Sequence, residues 1–116
     1  MTTSVATNFD QPLDPSDYSD YVSEFGPQLA ATETITTFTV SPTTEGAALG
    51  LEIGTVLPPS LEVGDKNVLF WVLVNAANQN DPIFDYDGTA IPIEVSVVTT
   101  FTRKLQRTFL LTVKQL

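Results

Sequence analysis

Seven consecutive apolar residues, Val68-Leu69-Phe70-Trp71-Val72-Leu73-Val74, stand between Asn67 and Asn75. Successive side chains of a strand point to opposite faces, so a run apolar on both faces does not suit a sheet surface open to water. The run is far short of the roughly twenty residues that a membrane helix requires. It therefore reads as the central buried strand of a sheet whose neighbours cover it from both sides, with Trp71 in the core.

The flanking text is also β in character. Glu33 to Val40 is Thr-rich and β-branched, with Thr34, Thr36, Phe38 and Val40 on one face and Ile35, Thr37 and Thr39 on the other; Ser41-Pro42 ends it. Leu49 to Leu57 gives a further strand with Leu49, Leu51, Ile53 and Thr55 on one side, closed by Pro58-Pro59. Ile91, Ile93, Val95, Val97, Thr99 and Phe101 alternate with Glu94, Ser96, Val98 and Thr100. Thr102-Arg103-Lys104 is short enough to turn a hairpin into Leu105 to Leu116, whose Phe109, Leu111 and Val113 face the core. Five to seven strands joined by Pro, Gly and Asn turns predict an all-β sandwich.

The opening of the chain differs. Residues 1–16 are rich in Thr, Ser, Asp and Pro with isolated apolar residues, too few to offset the ordering entropy of the segment alone. They are expected to form an N-terminal arm, either a disordered end or one that orders on a neighbour, ahead of a domain spanning 17–116. Within Asp17 to Phe25, Tyr18, Tyr21, Val22 and Phe25 have helical spacing that Ser16 could cap, and a short edge strand fits equally. Gly26-Pro27 stops either element.

At 116 residues the chain fits one domain that buries about two thirds of its unfolded surface. It has no cysteine and no histidine, which excludes disulfides, thiolate or imidazole metal sites and Ser-His-Asp or Cys-His catalysis from this chain alone. Met1 to Phe9 has no basic residue and no signal-length apolar run, so no cleaved export signal is expected, and the protein is expected to be soluble without membrane contact. A net charge of −9 argues against nucleic-acid binding, because phosphate neutralisation needs a basic surface.

The charge is unevenly placed. All fourteen carboxylates lie between Asp10 and Glu94, and with Lys66 they give residues 1–94 a charge of −13, while Arg103, Lys104, Arg107 and Lys114 give residues 95–116 a charge of +4. One chain thus carries both halves of a complementary contact, of the kind that steers encounter and fixes register. The acidic run Asp10, Asp14, Asp17 and Asp20 is a fitting partner for Arg103, Lys104 and Arg107 on a second copy, in a head-to-tail contact that closes a ring or grows open.

The most polar loop, Asn78 to Gly88, is the other place for a site. Asp85-x-Asp87-Gly88 is similar to the centre of a calcium loop, but the first ligand position would fall on Ile83, so an Asp-Gly turn of a long hairpin is expected and no metal. Asp85 and Asp87 on one loop tip do not straddle a groove at the roughly 5–9 Å that glycoside hydrolysis needs, so no catalytic residue and no cofactor is assigned. Phe84 and Tyr86 supply either a contact surface or closure of one sandwich end.

Asp17-Tyr18-Ser19-Asp20-Tyr21-Val22 resembles the acidic-aromatic opening, of Asp-Trp-Ser-Asp-Trp-Leu type, of small tailed-bacteriophage fiber-tail adaptors. Glu33-Thr34-Ile35 with its Thr-rich strand, Leu49-Gly50-Leu51, the Trp71 strand and the hairpin from Glu94 to Leu116 follow in the same order, so the likeness spans about Asp14 to Leu116. Tyrosines here replace the tryptophans, Glu24 to Thr32 is a longer link, and Gln79 to Thr89 replaces a Gly-rich turn. The resemblance implies a non-enzymatic virion component of the tail or neck, made in the host cytoplasm. It implies an immunoglobulin-like β-sandwich of about six to seven antiparallel strands, assembled as a ring-like homo-oligomer that joins other virion proteins such as tail tube, neck or fiber. On this reading the interface residues are Asp10, Asp14, Asp17, Tyr18, Asp20, Tyr21, Phe84, Tyr86, Arg103, Lys104 and Arg107. A capsid decoration protein is the alternative within the class, and a carbohydrate-binding host-adhesion module the alternative outside it.

Overall fold

The computed structural model describes residues 7–9 and 11–116. Among these residues eight strands form two four-stranded sheets packed face to face: an all-β sandwich. The strands are β1 (Thr7–Asn8), β2 (Tyr18–Glu24), β3 (Ile35–Pro42), β4 (Leu51–Ile53), β5 (Ser60–Leu61), β6 (Asn67–Val74), β7 (Thr89–Thr99) and β8 (Lys104–Val113), and a short helix, α1 (Thr44–Ala48), precedes β4. One sheet has the order β1-β8-β7-β3; the other has β2-β6-β4, with β5 also on β6. All pairings are antiparallel except that of β1 with β8. β1, β2 and β3 alternate between the layers, β4, β5 and β6 follow one another in one sheet, and β7 and β8 make the expected hairpin in the other.

The apolar run is β6, the centre of its sheet, and only half of it faces the core. Val68, Phe70, Val72 and Val74 are fully buried between the sheets, while Leu69, Trp71 and Leu73 are half-buried on the outside. Trp71 is therefore not a core residue: its outer position is covered by Tyr18, whose ring centroid lies 5.5 Å from that of Trp71. Opposite β6, Ile91, Ile93, Val95 and Val97 of β7 and Phe109, Leu111 and Val113 of β8 complete the core in strict alternation. Burial of these branched side chains contributes about 1.5–3 kcal/mol each, against the entropy of ordering the chain.

One open alternative is decided and two local expectations are corrected. The acidic-aromatic opening is a strand and not a helix: β2 pairs with β6 along its whole length, Tyr18 against Leu73 through Glu24 against Asn67. In β3 a bulge between Ile35 and Thr37 shifts the register by one residue, so Ile35 joins Phe38 and Val40 on the core side instead of facing away from them. Of the expected Leu49–Leu57 strand only Leu51–Ile53 is a strand, and the same sheet edge resumes beyond Pro58-Pro59 as β5. β4 and β5 run along the same side of β6, and between them Gly54 to Pro59 leaves the sheet with Val56 and Leu57 exposed, because the two prolines give no backbone N–H to pair. Just before β4, Thr43 caps α1 by accepting from the Gly46 N–H at 3.3 Å; a Cβ on Gly46 would stand 2.7 Å from Ile91, so the glycine lets the helix lie against β7.

Within the segment expected as an arm, residues 7–9 and Leu13 pack on the sandwich. β1 lies beside β8 with Thr7 against Phe109 and Asn8 against Leu110, and Leu13 is 1% exposed in the core. Phe9 bridges the two layers, with ring centroids 5.3 Å from Phe109 in one sheet and 5.1 and 5.9 Å from Tyr21 and Phe70 in the other. Two apolar residues four apart thus supply burial that the polar average of the segment concealed.

Candidate interaction surface

The residues singled out in the sequence fall into three separate regions. Asp10 lies outside the described residues. Asp14 is held inside its own chain: its carboxylate accepts from the Ser16 N–H at 2.9 Å, the Ser16 hydroxyl at 2.7 Å and the Leu116 N–H at 2.8 Å. These bonds, the Ser16 amide first, hold its pKa below the usual carboxylate value. Phe84 is fully buried, so it closes the sandwich end and offers no contact surface. Its neighbour Tyr86 stands 93% exposed with φ +60°, in a connection that crosses between the sheets and is no hairpin.

The basic hairpin does not form a cationic socket. Arg103 is spent on Glu33 of its own chain, donating through Nη2 to Oε1 at 2.6 Å and through Nε to Oε2 at 2.8 Å. Arg107 lies opposite Val95 on the core side of β8, with Nη1 donating to the Gln106 carbonyl at 2.8 Å and Nε buried without a partner among the described residues. Lys104 remains exposed, and it points outward because its partner Val98 sits between the buried Val97 and Thr99.

A coherent surface does form on the outside of the β6 sheet. β2 is aligned so that Tyr18, Asp20 and Val22 flank Leu73, Trp71 and Leu69, while Tyr21 faces inward at 8% exposure. Burial first, then the negative charges of Asp17 and Asp20, push the Tyr21 hydroxyl up to about 12, so it stays neutral. On the other side of β6, Glu52 lies against Leu73 and Ser60 against Leu69. Gly54 donates its N–H to the Trp71 carbonyl at 2.7 Å. The Tyr18 ring crosses over Trp71 to reach this point, and a Cβ on Gly54 would collide with the Tyr18 hydroxyl oxygen. The result is an apolar stripe with an aromatic ridge, edged by the carboxylates of Asp20, Glu24 and Glu52. Outer faces of antiparallel sheets are ordinarily polar, so this half-buried apolar stripe is a candidate contact surface.

The outside of the opposite sheet has another character. Thr37, Thr39, Ser96, Val98, Lys104 and Gln106 surround a shallow groove of about 360 Å³, and Glu94 beyond it accepts from the Gln106 side chain at 2.9 Å. The two faces thus differ in charge: three carboxylates edge one, while the other carries Lys104 beside its groove and Glu94 beyond it. Sequence reasoning missed Leu69, Trp71, Leu73 and Glu52 as surface residues, though the doubly apolar run held the signal. Among the described residues no group of three or more Asp and Glu is placed to hold a metal ion, and no helix is long and apolar enough to cross a membrane. No family model matches the chain, and no curated protein matches it.

Proposed function

We propose that this chain is a bacteriophage virion structural protein, a tail or neck adaptor that joins larger components, such as fibers to the tail, through a ring of β-sandwich subunits. It acts by binding and catalyses no reaction. The observation that carries this reading is the use made of Asp17 to Val22, the acidic-aromatic opening on which the family resemblance begins. It forms an edge strand whose Tyr18, Asp20 and Val22 stand outside on an apolar, carboxylate-edged face. A segment needed only for folding would turn its aromatics inward; this one divides them, Tyr21 to the core and Tyr18 to the surface. The fold and order of strands are compatible with the immunoglobulin-like sandwich that the resemblance implies, and the absence of histidine and cysteine from the sequence fits a protein whose work is contact.

The test is mass spectrometry of purified virions followed by cryo-electron microscopy of the intact particle. The expected result is several copies of this chain arranged around the tail or neck. Absence from the particle overturns the proposal, and so does a position on the capsid shell, which would make the chain a decoration protein. Specific glycan binding by the isolated domain would replace it with host adhesion.

A further inference from the structure

We infer that the outer face of the β6 sheet seats the outer face of the β8-containing sheet of a second copy of this chain, a head-to-tail stacking of sandwiches that rests on the assembly reading above. Three observations converge on this occupant. The first is shape: Tyr18, 40% exposed over Trp71, makes a ridge on one face, and small Thr and Ser side chains around Val98 leave the groove of about 360 Å³ on the other. The second is charge. Asp20 and Glu24 flank the ridge, while Lys104 flanks the groove and Glu94 beyond it is engaged by Gln106, so a ridge seated with Asp20 beside Lys104 brings opposite charges together. Pairing the apolar stripe with itself about a twofold axis would instead set Asp20, Glu24 and Glu52 against their own copies. The third is area: the broad faces of the molecule extend over 45 × 31 Å, ample for the roughly 800 Å² per partner of a stable interface.

A contact between two different faces is heterologous, so repeating it closes a ring or extends a stack. Two copies of charge −9 repel at long range, and at physiological ionic strength that repulsion is screened beyond about 8 Å while the close Lys104-to-carboxylate contact persists. Assembly is therefore expected at moderate salt.

The chain offers two clean reporters: it has no cysteine, and its single tryptophan lies at the centre of the proposed contact. Asp20→Cys and Lys104→Cys, both at exposed positions, are mixed and treated with a short bismaleimide, with Thr37→Cys as a second reporter at the groove. The mixture of ridge and groove variants should give hetero-linked dimers in about tenfold excess over dimers linked between identical variants. Trp71 emission of the unaltered chain should shift to the blue as concentration rises to about 1 mM, where even a millimolar contact is half formed. Dominant Asp20→Cys self-linking, or monomers with unchanged emission, would overturn the stacking and leave the face to a basic protein of different sequence. Presence in virions without the cross-link refutes this contact and spares the adaptor reading; the cross-link without presence in virions does the reverse.

Discussion

Glu33 and Arg103, 70 residues apart in the chain, form a two-pronged ion pair in which the Glu33 side chain is fully buried and the Arg103 side chain is 44% exposed. The Thr99 hydroxyl donates to Oε2 at 2.5 Å and the Ala30 N–H to Oε1 at 3.0 Å, and Arg103 spends a further N–H on the Gln28 carbonyl at 2.8 Å. The pair ties the β7–β8 turn to the link between β2 and β3, closing one end of the sandwich. Removing the cation leaves a buried carboxylate without its main partner, the costly half of such a deletion. Arg103→Met should lower the melting temperature by more than about 5 °C, whereas Lys104→Met, one residue on and exposed, should change it by less than about 2 °C; thermal circular dichroism measures both.

Acid should weaken the same closure. Hydrogen bonds from Arg103, with smaller help from Thr99 and Ala30, outweigh burial and lower the Glu33 pKa from its ordinary 4.5 to about 2. A carboxylate with a depressed folded-state pKa contributes stability that is fully present above its unfolded value and lost as pH falls through the folded one. Stability should therefore decline as the pH drops from about 4.5 to about 2, with Asp14 contributing in the same direction. Glu33→Gln should flatten this dependence in urea unfolding measured across that window. An unaltered slope would show that the pair does not govern it.

Phe84 and Tyr86 are two residues apart and should respond oppositely to truncation. Phe84→Ala empties a fully buried site and should cost about 3–5 kcal/mol in urea unfolding. Tyr86→Ala removes a side chain that is 93% exposed and should stay within about 0.5 kcal/mol. Tyr86→Gly should be neutral or stabilising by up to about 1 kcal/mol, since glycine accepts the φ of +60° without a Cβ conflict.

Gly54→Ala should act at a distance from its own backbone. The new Cβ would collide with the Tyr18 hydroxyl, and Tyr18 can rotate away because its ring lies at the surface. The expected cost is about 1 kcal/mol, the worth of an aromatic pair, together with greater access of iodide to Trp71 in fluorescence quenching. Quenching equal to that of the unaltered chain would show that Tyr18 keeps its place.

Much of the sandwich was legible in local text. The alternation from Ile91 to Thr99 and from Phe109 to Val113 marks which residues share a face, and period two is a property of the strand backbone that needs no partner. The apolar run from Val68 to Val74 likewise identified the central strand. Less legible was anything that depends on a second segment. The bulge that brings Ile35 beside Phe38 arises where β3 pairs with β7, and the break between β4 and β5 shows only against the unbroken β6. The candidate surface was half visible: Tyr18 and Asp20 were singled out, but the residues they flank were assigned to the core.

What the sequence determined by itself is the strands β3, β6, β7 and β8, the hairpin near Arg103, the centrality of β6 and the separation of acidic from basic text, because each follows from nearest-neighbour geometry or from counting. Tertiary structure alone decided which side of β6 meets the second sheet, that Phe84 and Leu13 lie inside while Tyr86 stands outside, and that Arg103 is consumed by Glu33. The physical reason is that burial and ion pairing are settled by partners far along the chain, and periodicity says which side chains travel together without saying what they will face.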